Sequence, residues 1–179
     1  RGAAGPAMFG VASAYNSPKA DIYKMTGLDQ PWEQRVATAK KLLADAGYPN
    51  GFAFKMLVRD SAQYSKAGEV VASVWQQYLP LKITMELPQE ATVPQILSNK
   101  DYDIFLWLAP DSQIGDVAEV VGAFYLTGAY NNFTGYSNPQ IDSIFPQLLR
   151  EPDGAKRVQM ARQMEGMLFN DIPLIPLFA

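Results

Sequence analysis

Ala39-Lys40-Lys41-Leu42-Leu43-Ala44-Asp45-Ala46-Gly47-Tyr48-Pro49-Asn50-Gly51-Phe52 reads as a helix, a stop and a turn, and the residues after it read as a strand. Val36, Ala39, Leu43 and Ala46 recur at helical spacing, while Arg35, Lys40, Lys41 and Asp45 face elsewhere. Gly47 suits a left-handed cap and Pro49 blocks continuation of the helix. Asn50-Gly51 makes the turn. Phe52, Phe54, Met56 and Val58 then alternate with Ala53, Lys55, Leu57 and Arg59, as a strand requires. Upstream, Pro31 fits a first helical turn and Glu33 favours the positive end of the helix dipole.

The same order repeats downstream. Asp60 or Ser61 can cap a helix reaching about Leu79, with Val70, Val71, Val74, Trp75 and Tyr78 on its buried face. Leu81, Ile83, Met85 and Leu87 alternate with Lys82, Thr84 and Glu86 to give a second strand. A short helix follows near Val93 to Asn99. The continuous apolar run Ile104 to Ala109 is expected to be a central strand covered on both faces. Helix, strand, helix, strand, helix, strand implies an α/β fold with a mainly parallel or mixed sheet flanked by helices.

The second half reads as mostly helical. A helix is expected over Val117 to Leu126, then the turn-rich Thr127 to Asn138. Asn138 caps the next helix with Pro139 at its first position, and Ile141, Ile144, Phe145, Leu148 and Leu149 form its stripe. Pro146 should weaken or kink its middle. A last helix runs from about Gly154 to Asn170 on Val158, Ala161, Met164 and Leu168. Ile172 to Ala179 is apolar, rich in proline, and reads as a strand leaving for another body. At the other end, residues 1–30 show no sustained period and read as an extended arm, with 31–179 as the domain.

At 179 residues the chain fits one domain, by the prior of roughly 150 residues each. It needs no staple, since a chain of this size buries about 70% of its unfolded surface. The absence of cysteine and histidine removes thiolate and imidazole zinc sites, histidine triads and Cys-His dyads. With a formal charge of −3 and scattered basic residues, no nucleic-acid partner is expected. The longest apolar run is far short of the roughly 20 residues that cross a bilayer. Arg1 to Pro6 lacks the apolar core of a signal peptide, so the chain reads either as cytoplasmic or as a mature or trimmed piece of a longer secreted protein.

Four stretches together resemble one family. The helix-turn-strand quoted above is similar to the signature of the family 5 extracellular solute-binding proteins, the dipeptide-, oligopeptide- and nickel-binding proteins of ABC importers. Asp101-Tyr102-Asp103-Ile104 resembles the family's strand entry. Asn132-Phe133-Thr134-Gly135-Tyr136-Ser137-Asn138-Pro139-Gln140-Ile141-Asp142 resembles its Asn-x-x-Gly-Tyr-x-Asn-Pro-x-x-Asp segment, and Asn170 to Leu177 its late proline-rich segment. The resemblance implies the C-terminal lobe of a two-lobed periplasmic-binding-protein fold (type II-like), with residues 1–30 linking to a missing N-terminal lobe. It implies a periplasmic or otherwise extracytoplasmic setting, free or as a membrane-anchored lipoprotein. The expected partners are a peptide or related small solute, an ABC transporter permease and that first lobe. No enzyme activity, cofactor or metal is expected. The remaining alternatives are a ligand-sensing or chaperone-like binding domain of the same fold, or a small carboxylate-dependent α/β enzyme. Against the enzyme stand the missing histidine, phosphate-binding glycine loop and Gly-x-Ser-x-Gly elbow.

Candidate ligand-binding residues are Trp107, Asp111, Tyr130, Asn131 and Asn132. In peptide-binding relatives a Trp-x-x-Asp stretch supplies a carboxylate for the peptide's ammonium, a pairing that a buried ammonium needs. Here the spacing is one residue longer, Trp107 to Asp111, and the Asp-Pro pair that commonly follows is replaced by Asp116-Val117. The other reading has Trp107 in the core and Asp111 capping a helix. Tyr130, Asn131 and Asn132 can stack on and hydrogen-bond a polar solute, or simply serve a turn. Asp101 and Asp103 fall short of the six to eight oxygens calcium takes and more simply flank a strand start. Met160, Met164 and Met167, at helical spacing, fit core packing better than a soft-metal site.

Overall fold

The structure, a computed structural model, describes residues 7–10, 13–106 and 115–177. It divides into two compact units, one formed by residues 30–108 and the other by 1–29 with 109–179.

The unit over 30–108 is the α/β body. Helix α2 (Trp32–Asp45) leads into strand β1 (Ala53–Val58), helix α3 (Ala62–Tyr78), strand β2 (Lys82–Glu86), a 3-10 turn (Glu90–Thr92), helix α4 (Val93–Asn99) and strand β3 (Ile104–Leu106). All pairing is parallel, in the order β2-β1-β3, with Met56 opposite both Met85 and Ile104. Alternation in β1 sends Phe54, Met56 and Val58 to one face, where Val71 and Trp75 of α3 and Ile83 and Met85 of β2 pack against them. The helix lies close to the sheet because Gly68 faces it: a Cβ there would stand 2.8 Å from a Val58 methyl and 3.0 Å from the Met85 sulfur. The buried face of α3 therefore runs through Gly68 and Ala72, while Val70, expected inside, is 58% exposed. Ser61 takes the N-cap position without a side-chain bond.

One strand assignment is corrected. Ile104 to Leu106 does form a strand, but β1 is central and β3 is an edge among the described residues, with half-buried side chains. The rest of that apolar run, 107–109, lies outside them.

The second unit is helical. Helix α1 (Lys19–Thr26), helix α5 (Val117–Val120) continued by a π-helical turn (Val121–Tyr125), helix α6 (Pro139–Arg150) and helix α7 (Gly154–Asp171) surround a core of Val120, Tyr125, Ile141, Leu148, Met164 and Leu168. Met160 and Met167 pack against this core, so the methionine row of α7 is packing. The stretch read as an extended arm contains α1, and Met8, Phe9 and Ile22 are buried with the core. Periodicity missed α1 because Ile22 is its only buried residue. Its start and stop were written as Pro18 and as Gly27, left-handed at φ 69°. Helix α6 continues through Pro146, and Leu149 of its expected stripe is 55% exposed. Residues 172–177 carry no strand, and Ile172 closes α7 in the left-handed region at φ 49°.

Asn138 caps α6 as its sequence position requires: Oδ1 accepts from the Gln140 and Ile141 amides at 3.0 and 3.4 Å. Its Nδ2 donates to the Asp171 carboxylate at 2.9 Å, tying the start of α6 to the end of α7. Asn138→Ala is expected to cost about 1–2 kcal/mol in a urea titration followed by far-ultraviolet circular dichroism.

Candidate functional site

Open parallel sheets place ligands beyond the carboxyl ends of their strands. In the unit over 30–108 that edge is marked by Arg59, the residue after β1, whose amide donates to Leu106 O at 3.4 Å across the end of β3. Its guanidinium pairs with Glu90, Nη2 to Oε1 at 2.8 Å and Nε to Oε2 at 3.3 Å, which holds the turn before α4 against the same edge. Trp107 is the next residue after β3. Trp107 and Asp111 both lie outside the described residues.

The opposite, amino-terminal edge of the sheet carries an open groove of about 470 Å³ lined by Lys55, Thr84 and Lys100 to Asp103. Asp103 is used there as a strand-start acceptor, taking the Lys55 amide at 2.8 Å, while Lys55 Nζ reaches Glu86 at 3.4 Å. This matches the plainer reading of the Asp101/Asp103 pair.

In the helical unit the three remaining candidates occupy one turn and differ sharply in freedom. Tyr130 is 90% exposed. Asn131 is half-buried, with its amide bonded to Ala123 O at 2.8 Å. Asn132 is fully committed internally. Its Nδ2 donates to the carbonyls of Leu126 and Tyr136 at 2.9 and 2.7 Å, and its Oδ1 accepts from Tyr136 N and Thr134 Oγ1 at 3.0 and 3.1 Å. Four bonds fill the capacity of a primary amide, so Asn132 knots the turn that carries Tyr130.

The turn is fastened at its base by two polar clusters. Asp142 accepts from the Thr127 amide at 3.0 Å and its hydroxyl at 2.6 Å. Asp171 accepts from the Tyr136 hydroxyl at 2.6 Å as well as from Asn138. The Tyr136 hydroxyl, together with Asn138 and Asn170, holds the Asp171 carboxyl below the usual range. Burial, reinforced by the Asp171 bond, pushes the Tyr136 phenol up to about 12.

Sequence reasoning did not single out Arg59 and Glu90, although the position of Arg59 directly after a strand was a signal. It also missed the pair Asp116 and Arg157, 41 positions apart, in which one guanidinium nitrogen meets both carboxylate oxygens at 2.8 and 2.7 Å.

The small parallel sheet flanked by helices is an α/β arrangement shared with solved periplasmic binding proteins. No family model matches the chain. Its relatives are nonetheless consistent. It is 27% identical over 155 residues to the periplasmic oligopeptide-binding protein OppA of Haemophilus influenzae, covering 83% of this chain and 28% of that protein. It is 24% identical to the glutathione-binding protein GsiB of Escherichia coli, covering 83% of this chain and 30% of the relative. The structure of the Escherichia coli murein tripeptide binding protein MppA superposes with a TM-score of 0.81 at 20% identity, covering 97% of this chain and 34% of that one. These homologues are family 5 solute-binding proteins, and the chain matches a lobe-sized portion of them, spanning under a third of the length of the curated relatives. Among the described residues no helix is long and apolar enough to cross a membrane.

Proposed function

We propose that this chain is the C-terminal, ligand-binding lobe of an extracytoplasmic solute-binding protein that captures a peptide or related small solute and delivers it to an ABC transporter permease. The observation that carries the reading is the relationship to an oligopeptide-binding protein across 155 residues. In this reading residues 31–179 form the lobe together with the α1 segment that packs into its helical core, the chain enters from a first lobe, and solute is trapped when the two lobes close. Binding without covalent chemistry is the role, as it is in the names of the relatives. Proteins related to this chain are named for oligopeptides, glutathione and a murein tripeptide. Their common chemistry is a peptide backbone carrying an ammonium and carboxylates.

For such a solute, Asp111 is the ammonium partner and Trp107 the apolar wall beside it. Tyr130 stacks on the solute or covers it, Asn131 offers amide groups, and Asn132 keeps that turn in shape. A thermal-shift panel on the full-length gene product tests this, using di- to pentapeptides, glutathione, opines, sugars and metal chelates. Stabilisation by peptides is expected, and Asp111→Asn is expected to weaken binding by about 2–5 kcal/mol, because the ligand's ammonium then enters a closed site unpaired. Peptide binding unaffected by Asp111→Asn would remove the ammonium role, and a panel with no shift at all would remove the function.

A further inference from the structure

Glu165 is the one fully buried acidic or basic side chain among the described residues, at 0% exposure on α7. It takes a core position of the helix, four residues after Ala161 and three before Leu168, both themselves at 0%. Its Oε2 accepts the Ser17 amide at 2.7 Å, a bond spanning 148 positions of sequence. Its Oε1 is buried and has no hydrogen-bond partner. The segment it grips is fastened by other bonds as well. Arg162 Nε donates to Asn16 O at 3.2 Å, Asn16 Nδ2 to Gly10 O at 2.7 Å, and the buried Tyr125 hydroxyl to Met8 O at 2.9 Å.

An ionised carboxylate at this position would hold a full charge in the core with one of its oxygens left without a hydrogen-bond partner. Groups so placed neutralise instead. Three influences favour the charged form: the Ser17 hydroxyl, the Ser17 amide and the Arg162 guanidinium on the same helix. Burial outweighs them, and the carboxyl lies above its ordinary range. Tyr125, from the π-helical turn, feels the Glu165 charge, which adds to burial in holding its phenol protonated. Helices α1 and α6 also pack against α7, and among the described residues no charged group on either contributes to the titration of Glu165.

We infer that Glu165 is a proton-operated latch: as a neutral acid it lets the segment 13–18 pack against α7, and its ionisation, which strengthens the Ser17 bond but strands a charge in the core, favours release of that segment so that the carboxylate regains water. The folded protein binds the proton more tightly than the unfolded chain. The stabilisation is therefore complete below the ordinary glutamate pKa and is lost as pH rises through the raised folded value. Between the two, the unfolding constant climbs by about tenfold per pH unit. The chain has no histidine and no cysteine. Between about pH 5 and 8 no other side chain ordinarily titrates, so the latch can be read against a quiet background.

The test is urea unfolding of the chain and of Glu165→Gln at about pH 5, 6.5 and 8, with hydrogen-exchange protection measured at the Ser17 amide. Glutamine keeps the shape of the neutral acid and cannot ionise. The wild-type midpoint and the Ser17 protection are expected to fall as pH rises. The midpoint of Glu165→Gln should stay level and exceed the wild type at the highest pH. A wild-type midpoint that ignores pH, or a glutamine variant that follows the wild type, overturns the latch. Should the variant fail to fold, a carbon-13 NMR titration of the wild-type carboxyl decides: an elevated midpoint supports the latch and an ordinary glutamate value overturns it.

Discussion

Gly51→Ala is expected to cost the α/β unit at least about 3 kcal/mol, enough to unfold it in mild urea. The residue sits at φ 72°, in the left-handed region, where a side chain alone costs roughly 1–2 kcal/mol. The larger part is steric. A Cβ on Gly51 would stand 1.5 Å from Pro80 O and 2.4 Å from Pro80 C. Neither backbone atom can retreat without opening the bond from Lys82 N to Phe52 O at 3.0 Å, where β1 and β2 begin to pair. Gly47 supplies the control. It is also left-handed, at φ 91°, but nothing lies within 4 Å of its would-be Cβ. Gly47→Ala should lose only about 1 kcal/mol. Tryptophan fluorescence reads this unit selectively, because Trp32, Trp75 and Trp107 all fall within 30–108. Equal losses in the two variants would show that backbone conformation alone sets the cost.

Arg157→Ala should destabilise the helical unit by about 2–4 kcal/mol. Arg157 Nη2 meets both oxygens of Asp116, and Nη1 donates to Leu148 O at the end of α6. Asp116 in turn caps α5 by accepting from the Ala118 amide at 2.9 Å. One guanidinium thus joins three helices, with side-chain exposures of 16% for Arg157 and 34% for Asp116. With Asp116 a third exposed, water offsets part of the loss, but less than at the exposed pair Lys41 and Asp45, where little loss is expected. Arg157→Lys should recover only part of the stability, since an ammonium cannot reach the carboxylate and the Leu148 carbonyl together. Far-ultraviolet circular dichroism in urea measures the change. A full recovery with lysine would reduce the interaction to simple charge.

The contrast between these residues and those visible in the sequence has a physical basis. Helix α2, β1, α3 and β2 were legible because each alternates or repeats with its own period, and because Gly47 and Asn138 write stops and starts in single letters. The family-like segment around Asn132 was legible as a pattern. Its mechanism was not, since the four bonds of that amide depend on carbonyls brought near only by folding. Helix α1 was obscured by having a single buried residue. The edge position of β3 was obscured because an apolar run looks alike at the centre and at the edge of a sheet. Asp116 and Arg157 could not be paired across 41 positions. Glu165 was not singled out, because only folding reveals that it is buried and that one of its oxygens has no partner.

Solute capture is the deciding property, and isothermal titration calorimetry on the full-length gene product measures it directly. With a series of short peptides, at least one is expected to bind with one-to-one stoichiometry and micromolar or tighter affinity. Flat titrations for every peptide, glutathione and opine tried, with a protein that unfolds cooperatively, would contradict it.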